Sequence, residues 1–369
     1  MRSTKSTERD INCWICRKGV AVEESGPSSL MLFARDPGSA NQILALKDLL
    51  EDEIKQKQQS LNPPMATLLK RLTKNLSISQ IKFAASGPAL SQLRGEGLSP
   101  ENWNCVNSPE RARASLSRHQ VRRLITGLSD RDDHTPQLLW AAASYYGANT
   151  LALLDDTTVT HPAAVSDLNE RFRLPNGSMI LPDTLGVINS GSRESLIKIG
   201  IPPSNIIVLG HLHLKRFKRL AATISPEKIA KLRHYWGVGP NANVILFASE
   251  PLSEMAEFGK SRDKNELSCL RELIRRVESR DPIVVEPSKN PTVIVVRPHP
   301  REYLEKFSGM KSDQLPRVII SREGTSAEAI LAADSVFGIT SMLLVEAASL
   351  GRRAQSLIDF NPNSAASPK

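Results

Sequence analysis

The chain has 369 residues, 40% of them hydrophobic and 24% charged, a composition large enough for two buried cores and opposed to wholesale disorder. Its 48 lysines and arginines exceed 39 aspartates and glutamates, and the formal charge of +9 favours anionic partners: nucleotides, phosphorylated lipids or nucleic acid. Aromatic residues make up only 5%, and no Arg/Lys run is interleaved with Phe or Tyr in the manner that stacks single-stranded bases, which argues against nucleic acid. No apolar run approaches the roughly 18 to 20 residues of a membrane span, and the opening MRSTKSTERDINCWICRKG lacks the apolar core of a secretory signal, so the expected compartment is the cytoplasm. The four cysteines, Cys13, Cys16, Cys105 and Cys269, are too few for a disulfide framework and suit a reducing environment. Cys13-Trp-Ile-Cys16 has the spacing of a metal knuckle or a redox pair, but no second pair completes a tetrahedral site and the βαβ context of a redox motif is absent, so the reading is a chance pair in a tail with no metal.

Residues 1–28 show neither helical nor strand periodicity and read as a disordered arm. Ser29 to Ala34 is a short apolar run followed by Arg35-Asp36-Pro37-Gly38-Ser39-Ala40-Asn41, after which Ile43, Leu44, Leu46, Leu49 and Leu50 recur at helical spacing: strand, glycine loop, helix. The stretch from Lys55 to Ser79 reads as a helical insertion or a mobile loop, with Met65 to Leu76 amphipathic and basic. Strands are expected at Ile81 to Ala85, Val121 to Thr126, Thr150 to Leu154, Met179 to Asp183, Gly186 to Asn189 and Ile206 to Gly210, with helices at Leu138 to Tyr146 and Ser192 to Ile199. Lys215 to Val238 is basic and helical, and Gly239-Pro240-Asn241 then breaks the chain, so 215–243 is expected to connect a first domain, 29–214, to a second, 244–369. The second domain repeats the alternation, with strands at Val244 to Ala248, Thr292 to Val296, Val318 to Ile320 and Ser335 to Gly338, and helices at Asp263 to Glu278, Ala327 to Ala332 and Met342 to Leu350. Strands separated by helices indicate parallel βαβ units, and the fold class is α/β: two Rossmann-like, doubly wound domains facing across a cleft. In such sheets ligands bind beyond the carboxyl ends of the strands, which directs attention to the loops at those ends.

Three loops stand out. In Arg297-Pro298-His299-Pro300-Arg301-Glu302 an apolar strand runs into a proline-stiffened basic turn, where Arg297 and His299 form a preorganised donor cluster for phosphate or carboxylate. In Gly338-Ile339-Thr340-Ser341-Met342-Leu343-Leu344-Val345-Glu346-Ala347 the hydroxyls of Thr340 and Ser341 stand at a helix N-terminus, a ready anion site. Glu346 lies at the reach where a carboxylate accepts ribose hydroxyls, or is simply a solvated helix carboxylate. The first loop offers Gly38 and Ser39, either for close backbone approach to a ligand or as a capping turn. For acid–base chemistry the candidates are Asp130, Asp132, Asp133 and His134 in one loop and Asp155-Asp156 in another. His211 and His213 flank Leu212 with strand-like spacing and read as solvent-facing or structural imidazoles rather than metal ligands.

The paired domains, Arg297-Pro298-His299-Pro300 and the Gly338 to Ala347 segment together resemble the GT-B superfamily of nucleotide-sugar glycosyltransferases. Within it the likeness is to bacterial surface-polysaccharide enzymes, namely capsule and sialyl-type transferases and polymerases of the CDP-glycerol class. UDP-N-acetylglucosamine 2-epimerase shares the architecture and a similar hydroxyl-then-Glu-Ala segment. Asp36 to Asn41, Leu181-Pro182-Asp183 and the Gly200 to Gly210 stretch resemble the strand and loop order of this superfamily.

The resemblance implies a nucleotide-sugar co-substrate held mainly by the second domain, a glycan or lipid-linked acceptor held by the first, and metal-independent transfer with no bound cofactor. Arg297 and His299 would then contact the donor phosphates, Thr340 and Ser341 would bind phosphate at the helix end, and Glu346 would hold the ribose. The general base stays a shortlist of Asp132, Asp133 and Asp155. The expected function is transfer of a sugar or related phospho-group; the alternatives are a nucleotide-sugar 2-epimerase and an inactive subunit that binds a glycan or a partner. Basic segments such as His213 to Arg219 add the expectation of peripheral contact with anionic membrane, a solvated helix face being the plainer explanation. The chain departs from the family after Gly351, where Arg352 to Lys369 show no carboxyl-terminal helix returning to the first domain.

Overall fold

A computed structural model of the protein describes residues 29–57, 61–129, 133–155, 168–254, 265–285, 290–310 and 316–358. The arm at 1–28, with its cysteine pair, lies outside the described residues. The chain divides between Arg216 and Phe217 into two compact units.

The first unit is built on β1 (Ser29–Ala34), β2 (Ile81–Ala85), β3 (Glu101–Asn102), β4 (Val121–Gly127), β5 (Asn149–Leu153), β6 (Thr184–Val187) and β7 (Ile206–Val208). These form one sheet in the order β3-β2-β1-β4-β5-β6-β7, every pair parallel. Successive residues of a strand point to opposite faces, and β1 is buried on both. Leu30 and Leu32 join one core with Leu44, Leu68, Leu90 and Ile125. Met31 and Phe33 join the other with Leu124, Trp140 and Phe172.

The turn out of β1 is short because the next helix, α1 (Pro37–Ile54), starts at once. Asp36 caps it by accepting the Ser39 N–H at 2.8 Å, and Pro37 has its φ preset for the first helical position. α2 (Pro63–Thr73) buries Met65, Leu68, Leu69 and Leu72, so the polar stretch after Lys55 carries a helix of the core. α3 (Gly87–Gly95), α4 (Pro109–Arg118), α5 (Thr135–Tyr145) and α6 (Ser190–Lys198) complete the connections.

The second unit carries β8 (Asn243–Ala248), β9 (Thr292–Arg297), β10 (Arg317–Ile320), β11 (Ser335–Gly338) and β12 (Arg353–Ser356) in a parallel sheet of order β10-β9-β8-β11-β12. α7 (Leu212–Ala221) runs across the division, and α8 (Pro226–Tyr235), α9 (Glu266–Glu278), α10 (Ser326–Ala332) and α11 (Met342–Ser349) come after it. One face of the sheet packs Val244, Leu246 and Val295 with Phe217, Leu232, Trp236 and Ile330. The other packs Ile245, Phe247 and Ile294 with Leu270, Leu273 and Phe307.

Six elements differ from the sequence reading. Met179 to Asp183 is not a strand: Met179 makes an isolated antiparallel bridge to Arg173, Pro182 has no N–H to pair, and Asp183 turns its carboxylate onto the backbone N–H and hydroxyl of Thr150. The basic stretch from Lys215 is two helices, and Phe217, Ala221, Leu232, Trp236 and Val238 are buried in the second core. Two strands and two helices went unforeseen: the exposed β3, the polar β12, and α3 and α4.

Both sheets reverse strand order once. In the first, β1 lies between β2 and β4; in the second, β8 lies between β9 and β11. At such a point the connections leave in opposite directions and open a crevice beyond the strand ends, between the loops after β1 and β4 and between those after β8 and β11.

Candidate functional site

In the second unit the register aligns Arg297, Ala248 and Gly338 as one row across β9, β8 and β11, the last level of the sheet before the loops. Gly338 is needed there: a Cβ would stand 3.0 Å from the Ala248 carbonyl oxygen. Arg297 donates to the carbonyls of Glu323 at 3.1 Å and Gly324 at 2.8 Å, which ties the loop after β10 to the end of β9 and leaves part of its five-donor fork unused. Burial pushes its pKa down, against the opposing pull of the nearby Glu346 and Glu328 carboxylates. Glu346, in α11, is buried, so it is not a solvated helix carboxylate.

His299 lies two residues on. Its Nδ1 accepts the Arg301 N–H at 3.1 Å, so the neutral ring carries its proton on Nε2, and its backbone N–H donates to Glu302. Burial first, then the charges of Arg301 and Arg322, lower its pKa, with Glu254 opposing. The imidazole is therefore a neutral N–H donor at pH 7, whereas Arg297 supplies the positive charge. Glu302 is the post of this loop: buried, it accepts from Ser249 Oγ at 2.7 Å and from Lys306, joining the loop after β9 to the end of β8.

Thr340 and Ser341 stand at the start of α11. Ser341 caps the helix by accepting the Leu343 N–H at 3.3 Å. Thr340 donates its backbone N–H to Glu250 Oε1 at 2.5 Å and its hydroxyl to Glu250 Oε2 at 2.6 Å. Glu250, two residues beyond β8, was not among the residues singled out from the sequence.

In the first unit the loops after β1 and β4 meet through Arg35, whose Nε donates to the Asp133 carboxylate. Gly87, at φ +51°, makes room for this arm, since a Cβ there would fall 1.3 Å from Arg35 Nη1. Burial alone would raise the Asp133 pKa, but the hydrogen bonds from Arg35 and Thr135 outweigh it and hold the carboxyl below its usual range. Asp155 lies two residues past β5 and sets its carboxylate over Gly38, where a Cβ would stand 1.8 Å from Oδ2 and 3.3 Å from Asp36 Oδ1. Gly38 thus clears space for a carboxylate. Ser39 is taken up by the helix start: its hydroxyl accepts the N–H groups of Arg35 and Asp36, each at 3.1 Å. Asp132, with Asp130 and Asp156, lies outside the described residues.

Two other clusters are titratable. His211 and His213 lie at the start of α7, not on a strand, with ring centroids 6.1 Å apart. His211 Nδ1 accepts the Leu214 N–H at 3.3 Å, and burial, helped by His213, lowers its pKa to about 4. Glu254, Glu266 and Glu302 bring carboxylate oxygens within 4.8 Å of one another, close enough to share a cation. Lys306 Nζ stands among them at 2.9, 2.6 and 2.7 Å respectively. No helix among the described residues is long and apolar enough to cross a membrane.

No protein-family model matches the chain, and no curated protein matches it in sequence. Solved structures do match. UDP-GlcNAc 2-epimerase from Neisseria meningitidis, bound to UDP-GlcNAc, is 12% identical over 91% of this chain and 84% of that one, with a TM-score of 0.59. The 2-epimerase from Methanocaldococcus jannaschii is 13% identical over 88% and 82%, with a TM-score of 0.55, and that from Rickettsia bellii 13% over 89% and 78%, at 0.52. At such identities the likeness establishes the fold, which is GT-B-like: two Rossmann-type units, each a parallel sheet flanked by helices.

Proposed function

We propose that the protein acts on a nucleotide-sugar and that its reaction is epimerisation beside the anomeric carbon, rather than transfer of the sugar to a separate acceptor. The observation that carries the reading is the donor set at the strand-order reversal of the second unit. There Arg297 supplies charge, His299 a neutral N–H, Thr340 and Ser341 a helix start, and Glu346 a buried carboxylate beside the arginine. A diphosphate needs cationic and neutral donors together, and a helix start adds the favourable end of the backbone dipole.

Epimerisation is preferred to transfer because three of the similar solved structures, at TM-scores of 0.59, 0.55 and 0.52, are 2-epimerases. A hydrogen beside the anomeric carbon leaves as a proton only if its bonding pair forms a C1–C2 double bond and expels the diphosphate from C1. Return of the proton to the opposite face of C2, with re-addition of the diphosphate at C1, completes the exchange, and the proton transfers are work suited to carboxylates. Asp155, with its space cleared by Gly38, is assigned to proton exchange. Asp133, held anionic by Arg35, is assigned to fixing that arginine. When the sugar–phosphate bond breaks, Arg297 and the Thr340 donors would stabilise the charge that gathers on the leaving nucleotide diphosphate. The transferase expectation rests on the same fold, and no arrangement among the described residues favours it over epimerisation. Peripheral contact with anionic membrane remains a proposal on the exposed Lys215 and Lys218 of α7.

The test is incubation with UDP-GlcNAc in D2O without any acceptor, and then proton NMR. Deuterium at C2 and a second epimer are expected. A substrate that keeps both its C2 proton and its configuration, yet is consumed once a glycan acceptor is added, would overturn epimerisation in favour of transfer.

A further inference from the structure

The Glu250 carboxylate sits where the proposed function places a phosphate, and its role rests on that proposal. Both of its oxygens are engaged, by the Thr340 N–H at 2.5 Å and the Thr340 hydroxyl at 2.6 Å. The arm that presents it is preset. Ser249 is held by its N–H to the Arg297 carbonyl at 3.1 Å and by its hydroxyl to Glu302 at 2.7 Å. Pro251 comes next and confines Glu250 to extended backbone. The Leu252 N–H then closes on the Glu250 carbonyl at 2.8 Å. The contact joins the loops after β8 and β11, the pair that flanks the strand-order reversal.

We infer that Glu250 is a resident anion of the phosphate site, seated on the Thr340 donors until a diphosphate displaces it, and so a determinant of which anions the site takes up. Two anions cannot use one N–H and one hydroxyl at once, and a carboxylate beside a bound phosphate is repelled by it. Binding at these donors therefore includes detaching Glu250, and apparent affinity falls by the fraction of molecules in which it is detached. Two charge-assisted hydrogen bonds keep that fraction at roughly a tenth or below, so removing the carboxylate is expected to tighten binding about tenfold or more.

The experiment is calorimetric titration of the 369-residue chain with inorganic pyrophosphate, which is independent of the nucleobase, and with UDP, comparing wild type, E250Q, E250A and the E250A/T340V double variant. Expected are tightening of about tenfold in E250A, an intermediate gain in E250Q, whose amide still accepts from Thr340, and loss of the gain in the double variant. Unfolding midpoints check that each variant is folded, and the isosteric E250Q keeps the comparison available should E250A not fold. If wild type binds both probes and neither variant binds more tightly, Glu250 is not a resident anion, while the phosphate site stands. If no variant binds either probe, the phosphate site fails, and the role of Glu250 with it.

Discussion

Replacing Gly38 by alanine separates the role of Asp155 from the stability of its surroundings. The new methyl carbon would lie 1.8 Å from Asp155 Oδ2 and 3.1 Å from its Cγ, so the carboxylate must move. It ends a short side chain and can turn to another rotamer, at about 0.5 to 1.5 kcal/mol if the new position is strained. Gly38 lies in the first turn of α1, where alanine improves helix propensity by up to about 1 kcal/mol. The two effects nearly cancel, and the urea midpoint is expected to move by less than the equivalent of about 1 kcal/mol. Turnover of UDP-GlcNAc should instead fall by about 10²- to 10⁴-fold, the usual contribution of a positioned acid–base group. The assay is parallel urea unfolding and C2 deuterium exchange. Unchanged exchange in a folded G38A protein would remove Asp155 from the chemistry, and a stability loss above about 2 kcal/mol would show that its carboxylate has nowhere to go.

Gly127→Ala provides the contrast: its Cβ would meet Ser39 Cβ at 2.0 Å and Cα at 2.9 Å, atoms fixed by the backbone of α1, so a loss of about 2 kcal/mol is expected in the urea midpoint. His211 gives a pH signature: with its pKa lowered from 6.5 to about 4, the unfolded chain takes up a proton the folded chain refuses. The associated stability is present above pH 6.5 and is lost as pH falls towards 4, by up to about 2 kcal/mol once partial exposure is allowed for. His211→Gln should flatten that slope in unfolding curves taken between pH 7 and 4, and an unchanged slope would show that another group carries it. Lys306→Met strips the ammonium from Glu254 and the buried Glu266 and Glu302, and is expected to lower stability by about 3 to 5 kcal/mol, read in the same way. An unmoved midpoint would mean the carboxylates find other partners.

The strands read most directly from sequence are buried on both faces. Ser29 to Ala34 and Thr292 to Val296 are unbroken apolar runs because helices cover each side of the sheet, and a run bounded by turn residues needs no further information. The strands that escaped reading are at the edges. Glu101–Asn102 and Arg353–Ser356 pair with one neighbour each and have no apolar pattern to report; they are strands because a parallel neighbour offers them hydrogen bonds. Met179 to Asp183 is the converse, an apolar run that pairs with nothing beyond one bridge because Pro182 interrupts it and Asp183 is spent on Thr150.

The same distinction governs the site. Arg297 and His299 could be picked out because two prolines and two basic residues at a strand end form a local signal. Arg35 and Glu250 are single residues just past a strand, and their partners, Asp133 and Thr340, lie 98 and 90 residues away, so nothing local marks them. Yet both pairs join the same two positions, the loop after the central strand where strand order reverses and the loop after one of its neighbours. The rule that locates the crevice in a parallel sheet thus also says which distant loops must meet, though not what they exchange. In the first unit an arginine holds a carboxylate; in the second a carboxylate holds a hydroxyl and an N–H. The frame repeats and the charge is inverted: the first junction already contains its cation, whereas the second has its donors covered by an anion that a stronger anion can replace.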